Sequence, residues 1–273
     1  MKWTRTIADV REALASLHSG LVGFVPTMGA LHRGHTTLID VARHECDVVV
    51  ASVFVNPTQF NDPADLAAYP RVETRDADMA EAAGADVLFV PPVGVMYPEG
   101  FASTVSVQGA ALGYEGAHRP GHFDGVATVC LKLFSIVRAD RAYFGQKDAQ
   151  QVAVIRQVVR DFDMPLTVRV VPTVRDDDGL ALSSRNARLS ADERSRALVI
   201  PRALARGLES FRAGADPAAA ARAELARGGI EAEYAEVATF QGEPTLVIAA
   251  RVGHTRLIDN VPLRDPQAAG FPA

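Results

Sequence analysis

Cysteine is scarce: Cys46 and Cys130 are the only two in 273 residues. A pair so far apart builds neither a disulfide framework nor a CxxC site, so a reducing cytoplasm is the expected setting. Basic runs are also missing. The formal net charge is −5 and no stretch concentrates Lys and Arg, so no nucleic-acid partner is expected. A local basic site for a small phosphate ligand stays open. No apolar run reaches the ~20 residues of a membrane helix. The opening Met1-Lys2-Trp3-Thr4-Arg5 lacks the apolar core of a signal peptide, so no membrane association is expected either. Internal repeats are absent. No G-x-G-x-x-G follows the first apolar run, which sets aside a hydride-transfer dinucleotide turn. What remains is the composition of a soluble enzyme, 48% hydrophobic and 22% charged, on a chain long enough for one large domain or two.

The most informative stretch is Pro26-Thr27-Met28-Gly29-Ala30-Leu31-His32-Arg33-Gly34-His35. Residues 21–25 before it read as a buried parallel strand, and residues 37–43 after it have helical spacing. A strand-to-helix turn is where open α/β sheets bind ligands. Gly29 and Gly34 let backbone come close to a ligand, and helix-start N–H groups attract phosphate. His32 and His35, three positions apart, project from one face of a first helical turn. Two imidazoles there can donate to charge building on a leaving pyrophosphate. Either histidine alone would pass for a surface residue; the preceding strand and the flanking glycines favour the functional reading.

Residues 6–18 carry Ile7, Val10, Leu14 and Leu17 on one helical face, with Thr6 as cap and Gly20 as stop. Apolar runs at 47–55, 86–90, 141–144 and 166–171 predict further strands, and 104–107 is a candidate extra one. Helices are expected at 74–83, 126–137 and 149–162, with a polar, Gly-rich loop at 113–125. The alternation predicts an α/β fold, a Rossmann-like parallel sheet with helices on both faces, over residues 1–173. From residue 174 the pattern changes. Ser190-Ala191-Asp192-Glu193 is a capping box opening one long helix to about residue 211. Asp216-Pro217 opens an Ala-rich helix to 227. Residues 234–239, 246–252 and 255–259 read as antiparallel strands. Residues 174–273 are thus expected to form a smaller α+β C-terminal domain covering the active site, and the tail after Asp265 is expected to be mobile.

Gly145-Gln146-Lys147-Asp148 is a second strand-to-helix turn. Lys147 can reach a phosphate, Asp148 can accept from ribose hydroxyls, and Gly145 gives backbone access; a solvated turn with Asp148 near an N-cap is the even alternative. Ser183-Ser184-Arg185 offers hydroxyls and a guanidinium to a polyphosphate, although alone it reads more readily as an exposed loop with capping serines. Gln59 and Gln151 carry amides that can bond hydroxyls and a carboxylate, yet lone glutamines are mostly surface residues. Arg119 and His122 read as part of a solvated loop. Asp76 could position a metal ion, but its context is an ordinary charged helix.

Taken together, the motifs are Pro26-Thr27-Met28-Gly29-Ala30-Leu31-His32-x-Gly34-His35, Phe54-Val55-Asn56-Pro57-x-Gln59-Phe60, Tyr69-Pro70-Arg71, Arg119-Pro120-Gly121-His122-Phe123, Phe144-Gly145-x-Lys147-Asp148-x-Gln150-Gln151 and Asp178-Gly179-Leu180-Ala181-Leu182-Ser183-Ser184-Arg185-Asn186. In this order they resemble the pantothenate synthetase (pantoate–β-alanine ligase) family, of the nucleotidyltransferase superfamily that shares its nucleotide-binding domain with class I aminoacyl-tRNA synthetases. The resemblance extends to Leu257-Ile258-Asp259-Asn260. It implies ATP-dependent condensation of pantoate with β-alanine through a pantoyl adenylate, Mg²⁺ accompanying ATP, and a homodimer. The product is a coenzyme A precursor. Carried over by position, Met28, Gly29, Ala30, Leu31, His32, Arg33, Gly34 and His35 would line the ATP site. His35 would assist departure of pyrophosphate with His32 beside it. Gly145, Gln146, Lys147 and Asp148 would contact ATP, as would Val174, Leu182, Ser183, Ser184 and Arg185. Lys147 and Arg185 would join the histidines as catalytic groups. Gln59 and Gln151 would hold pantoate, Gln59 would also meet β-alanine, and Asp76 would be the metal candidate. Two positions depart from the pattern: Gln146 replaces the usual Glu, and Arg75-Asp76 stands where relatives often carry an acidic cluster.

Two other functions fit parts of the pattern. One is a nucleotidyltransferase that adenylates a phosphorylated small molecule, which leaves Gln59, Gln151 and the second domain without a role. The other is a non-catalytic nucleotide-binding module, for which so many convergent cationic and imidazole groups would be excessive.

Overall fold

A computed structural model describes residues 1–17 and 20–264. The expected helix end at His18 and the expected mobile tail after Asp265 lie outside those residues. Two compact units are formed. One holds Met1–Phe144 and Gln150–Val171; the other holds Gly145–Ala149 and the chain from Pro172 onward.

Up to residue 171 the chain runs β1 (Lys2–Thr4), α1 (Ile7–Leu17), β2 (Val22–Thr27), α2 (Arg33–Glu45), β3 (Val48–Val53), α3 (Pro63–Ala67), α4 (Glu73–Ala82), β4 (Val87–Phe89), α5 (Val93–Met96), α6 (Tyr114–His118), α7 (His122–Val137), β5 (Arg141–Gly145), α8 (Ala149–Asp161) and β6 (Thr167–Val171). Short 3-10 turns occupy Pro57–Gln59 and Gln146–Asp148. The sheet has six strands in the order β1-β4-β3-β2-β5-β6. Pairing is parallel from β1 through β4, β3 and β2 to β5.

Alternate side chains of the central strands feed two cores. Phe24, Val50, Val87 and Phe89 pack with α1, α7 and α8, whereas Val25, Val49, Ala51 and Leu88 pack with α2 and α4. All of β3 is buried, so it shows no exposed polar side and reads as an apolar run interrupted only by Ser52. Strand order reverses between β2 and β5, and at such a switch point the strand carboxyl ends hold ligands.

In this unit several elements differ from expectation. Residues 104–107 are not a strand: the Val105 amide donates to Thr128 Oγ1 on α7 (2.9 Å) instead of to the sheet. The polar loop at 113–125 contains α6, and α7 begins at His122 rather than 126, after Gly121 in the left-handed region (φ 77°). β1, too short to show a periodicity, extends the sheet beyond β4.

The second unit carries a 3-10 turn at Ser184–Arg188, then α9 (Ala191–Ala197), α10 (Val199–Arg212), α11 (Pro217–Arg227), β7 (Ala232–Phe240), β8 (Glu243–Val252) and β9 (Thr255–Pro262). The strands form an antiparallel sheet, order β7-β8-β9. Ile200, Leu204 and Leu208 of α10 and Leu225 of α11 share a core with Leu246 and Ile248 of β8. The one long helix expected from residue 190 is two helices. Pro201 has no N–H to give the Ala197 carbonyl, so the chain breaks at Leu198.

Candidate active site

The turn after β2 bends through the left-handed region twice, at Gly29 (φ 83°) and Ala30 (φ 50°). Only glycine fits at 29: a Cβ there would lie 2.8 Å from Asp76 Oδ2 and 2.9 Å from Val53 Cγ1. Side chains hold this backbone. The Gly29 amide donates to Thr27 Oγ1 (3.1 Å), the Ala30 amide to Asp76 Oδ2 (2.9 Å) and the Leu31 amide to Asp76 Oδ1 (2.7 Å).

His32 is the N-cap of α2, and both histidines serve in its capping box. The Gly34 amide donates to His32 Nδ1 (3.1 Å), and the His32 amide donates to His35 Nδ1 (3.3 Å). Their ring centroids are 4.1 Å apart. A neutral imidazole that accepts at Nδ1 carries its proton on Nε2. The helix cap therefore sets the same tautomer in both rings, with Nε2–H as the donor. Backbone amides at Ala30, Leu31 and Gly34 are engaged internally, so the imidazoles, more than the helix-start amides, are the polar handle of this turn. Met28 and Arg33 flank it, Arg33 exposed at the first position of α2.

Gln59 is 8% exposed and tightly oriented. Asn56 caps its 3-10 turn. Asn56 Oδ1 accepts from the Thr58 amide (3.3 Å), Thr58 Oγ1 (2.9 Å) and the Tyr97 hydroxyl (2.8 Å). Its Nδ2 donates to Gln59 Oε1 (3.0 Å) and to the Gly125 carbonyl (3.1 Å). With Oε1 engaged, Gln59 turns Nε2 outward as a donor, and Nε2 meets Met28 Sδ at 3.0 Å. Gly125 lets α7 approach this closely, because a Cβ there would lie 2.5 Å from the Thr58 carbonyl oxygen. Burial pushes the Tyr97 phenol pKa up.

Arg119 and His122, expected in a solvated loop, are instead packed against Gln59. His122 is 6% exposed; its Nδ1 lies 2.9 Å from the Gln59 carbonyl oxygen, which also accepts from Arg119 Nη2 (3.3 Å). Arg119 Nη1 approaches His122 Nε2 at 3.1 Å, so His122 carries its proton on Nδ1, the opposite tautomer to His32 and His35. The polarity of 113–125 concealed this, since nothing local shows that a loop folds over a buried turn. Gln151 sits partly buried on α8.

In the second unit, Asn260 of β9 holds the turn after β5. Its Nδ2 donates to the carbonyls of Gln146 (3.0 Å) and Lys147 (2.7 Å), and Gln146 Nε2 donates to its Oδ1 (3.2 Å). The Gln146 amide thus makes a bond that a carboxylate could not donate. Lys147 Nζ lies 4.0 Å from Asp148 Oδ1. The Leu182 amide donates to the Val174 carbonyl (3.0 Å), closing the hairpin that leads to Ser183. Arg175 on that hairpin pairs with Asp259 through two hydrogen bonds (2.7 and 3.1 Å). Ser183 Oγ accepts from the Arg185 amide (3.3 Å), so it does cap the short turn carrying Ser184 and Arg185. Asn56 and Asn260 entered the sequence reading only as members of the motifs, with no contact assigned, and Tyr97 did not enter it. Asn56 before Pro57 is the one signal that pointed to a cap.

Asp76, the metal candidate of the sequence, is turned inward. It is 1% exposed, and both carboxyl oxygens face the turn amides. Among the described residues no group of three or more His, Cys, Asp or Glu is placed to hold a metal ion.

Residues 2–262 match the family model described as pantoate-beta-alanine ligase. A pantothenate synthetase of Cereibacter sphaeroides is 47% identical over 95% of this chain and 98% of its own length. One of Rhizorhabdus wittichii is 50% identical, covering 96% and 98%. A crystal structure of pantothenate synthetase from Thermus thermophilus superposes with a TM-score of 0.91 at 45% identity, covering 97% of this chain and all (100%) of that one. A pantoate-beta-alanine ligase from Francisella tularensis, complexed with beta-gamma ATP and beta-alanine, gives 0.85 at 36% identity, covering 96% and 98%.

Proposed function

The chain belongs to the pantoate-beta-alanine ligase family, and from that premise we propose that it makes pantothenate from pantoate and β-alanine with ATP as the activating substrate. A free carboxylate is a poor electrophile, so the acid is first adenylated. The pantoate carboxylate attacks the α-phosphorus of ATP, the bond to the bridging oxygen breaks, and pyrophosphate leaves. The β-alanine amine then attacks the acyl carbon of pantoyl adenylate, loses a proton, and AMP leaves with the electron pair. Neither step needs a protein nucleophile; the site orients two reactants and stabilises charge.

The observation that carries this reading is the paired histidine cap at the strand-to-helix turn. His35, with His32 beside it, offers Nε2–H to the charge that grows on the pyrophosphate oxygens. Met28, Gly29, Ala30, Leu31, Arg33 and Gly34 line the nucleotide around them. Lys147 and Arg185 supply cationic donors to the phosphates, Asp148 accepts from the ribose, and Gly145, Gln146, Val174, Leu182, Ser183 and Ser184 complete the ATP contacts. Gln59 donates through Nε2 to an oxygen of pantoate and meets β-alanine, and Gln151 is the second pantoate amide. The Francisella enzyme's complex with beta-gamma ATP and beta-alanine supports ATP and β-alanine as the ligands. Mg²⁺ enters as part of the MgATP substrate, held by phosphates and water as is usual for this ion. No helix among the described residues is long and apolar enough to cross a membrane. A cytoplasmic homodimer completes the reading, and light scattering on the purified protein checks the dimer.

The test is to mix enzyme, MgATP and pantoate and follow pyrophosphate. Pyrophosphate should appear before β-alanine is added, and AMP and pantothenate only afterwards. Pyrophosphate formed only with a phosphorylated acceptor would replace this reading by a nucleotidyltransferase. ATP binding without turnover would leave a nucleotide-binding module.

A further inference from the structure

We propose that Asp76 is the positioning residue of the nucleotide turn: its buried carboxyl group holds the amides of Ala30 and Leu31 and so fixes the left-handed bend at Gly29 and Ala30 that delivers the two histidines, and it takes no part in binding magnesium. The inference rests on the reading of residues 28–35 as the ATP contact.

Ala30 lies at φ 50°, a region that L-residues other than Gly, Asn and Asp seldom enter. Successive amides in such a bend form a concavity that attracts an anion. Here the anion is supplied from within. Asp76 reaches the turn from α4, with Oδ2 on the Ala30 amide (2.9 Å) and Oδ1 on the Leu31 amide (2.7 Å). Its own backbone is fixed in the first turns of α4 by its amide donating to the Val72 carbonyl (2.9 Å). Gly29 is pressed against the same carboxyl group, which leaves no room for a Cβ. Residue 32 follows directly, and its amide and ring nitrogen both belong to the histidine cap. The carboxyl group therefore sets where the two imidazoles begin, and the two amides it occupies are withheld from the triphosphate.

The decisive variants are Asp76→Asn and Asp76→Asn combined with Ala30→Gly. An amide side chain keeps one acceptor and turns an NH₂ toward a backbone N–H. Single-turnover pyrophosphate release should slow on the order of 10²-fold, the scale of a misplacement of about 1 Å. Half-saturation by pantoate and the Mg²⁺ dependence should stay at their wild-type values. Ala30→Gly, which reaches the bend without steric cost, should restore part of the rate. Wild-type adenylation by Asp76→Asn, a defect cured by excess Mg²⁺, or a loss that Ala30→Gly leaves untouched would each overturn the proposal. If Asp76→Asn does not fold, amide hydrogen exchange of the wild type decides. Ala30 and Leu31 should be protected without nucleotide; protection gained only on adding α,β-methylene ATP would overturn it. A wild-type protein that releases no pyrophosphate from ATP and pantoate would sink the enzymatic reading instead, while the exchange experiment would still report on Asp76.

Discussion

The turns after β2 and β5 both leave strands of the same sheet, and opposite chemistry restrains them. The first is held by acceptors: Asp76, Thr27 and two imidazole Nδ1 atoms take up its amide protons. The second is held by a donor: Asn260 gives both protons of its NH₂ group to carbonyls of Gln146 and Lys147. A turn whose amides are consumed must offer side-chain donors to an anion, hence two histidines. In the proposed ATP site, a turn whose carbonyls are tied back keeps acceptor oxygens away from phosphate and leaves Lys147 to meet it. Similar-looking Gly-containing motifs thus reach the same electrostatic end by different routes.

The sharpest way to break this contrast is at His35. Asn places its Oδ1 where Nδ1 sits and keeps the cap, but removes the Nε2 donor. His35→Asn should lower single-turnover adenylation by about 10²–10³-fold with little change in melting temperature. His35→Gln keeps a donor near Nε2 and loses the cap, so it should lose more stability and less rate. Equal rates in His35→Asn and wild type would refute the donor role. Next in size is Asn260→Asp, which sets a carboxylate against two carbonyl oxygens. Half-saturation by ATP should rise about tenfold, the scale of one or two lost hydrogen bonds, with pantoate affinity unchanged. Gln59→Ala should show the converse in calorimetric titration, several-fold weaker pantoate and unaltered ATP. The smallest effect belongs to Glu45, at the far end of the helix that His32 caps. Hydrogen bonding to Arg169 holds its carboxyl pKa below the usual range. Its contribution is therefore present above that range and is lost as the pH falls through the depressed value. Glu45→Gln should destabilise by on the order of 1 kcal/mol or less at neutral pH, and the difference from wild type should fade on acidification.

Much of the framework was readable because its signals are local. Val48–Val53 is buried on both faces and apolar but for Ser52, and Ser190 with Glu193 forms the capping box that their spacing announces. The break at Leu198 was legible in principle from Pro201, whose missing N–H outweighs the continuous helical periodicity around it. What escaped depends on partners distant in the chain. Nothing near Asn260 says that it will secure residues 146 and 147, and nothing near Arg119 and His122 says that they will close over Gln59. Asp76 was visible only as a charge on a charged helix and a metal candidate, because the amides it serves lie 45 and 46 positions earlier.

The histidine cap carries a practical warning for anyone who would make this protein hardier. Asn, Asp and Ser are better helix-capping residues than an imidazole, so thermal selection would favour them at position 32. Heat-resistant clones enriched on survival alone would be expected to arrive with one of the two proposed imidazole donors already discarded, and only a screen that scores turnover beside tolerance would notice.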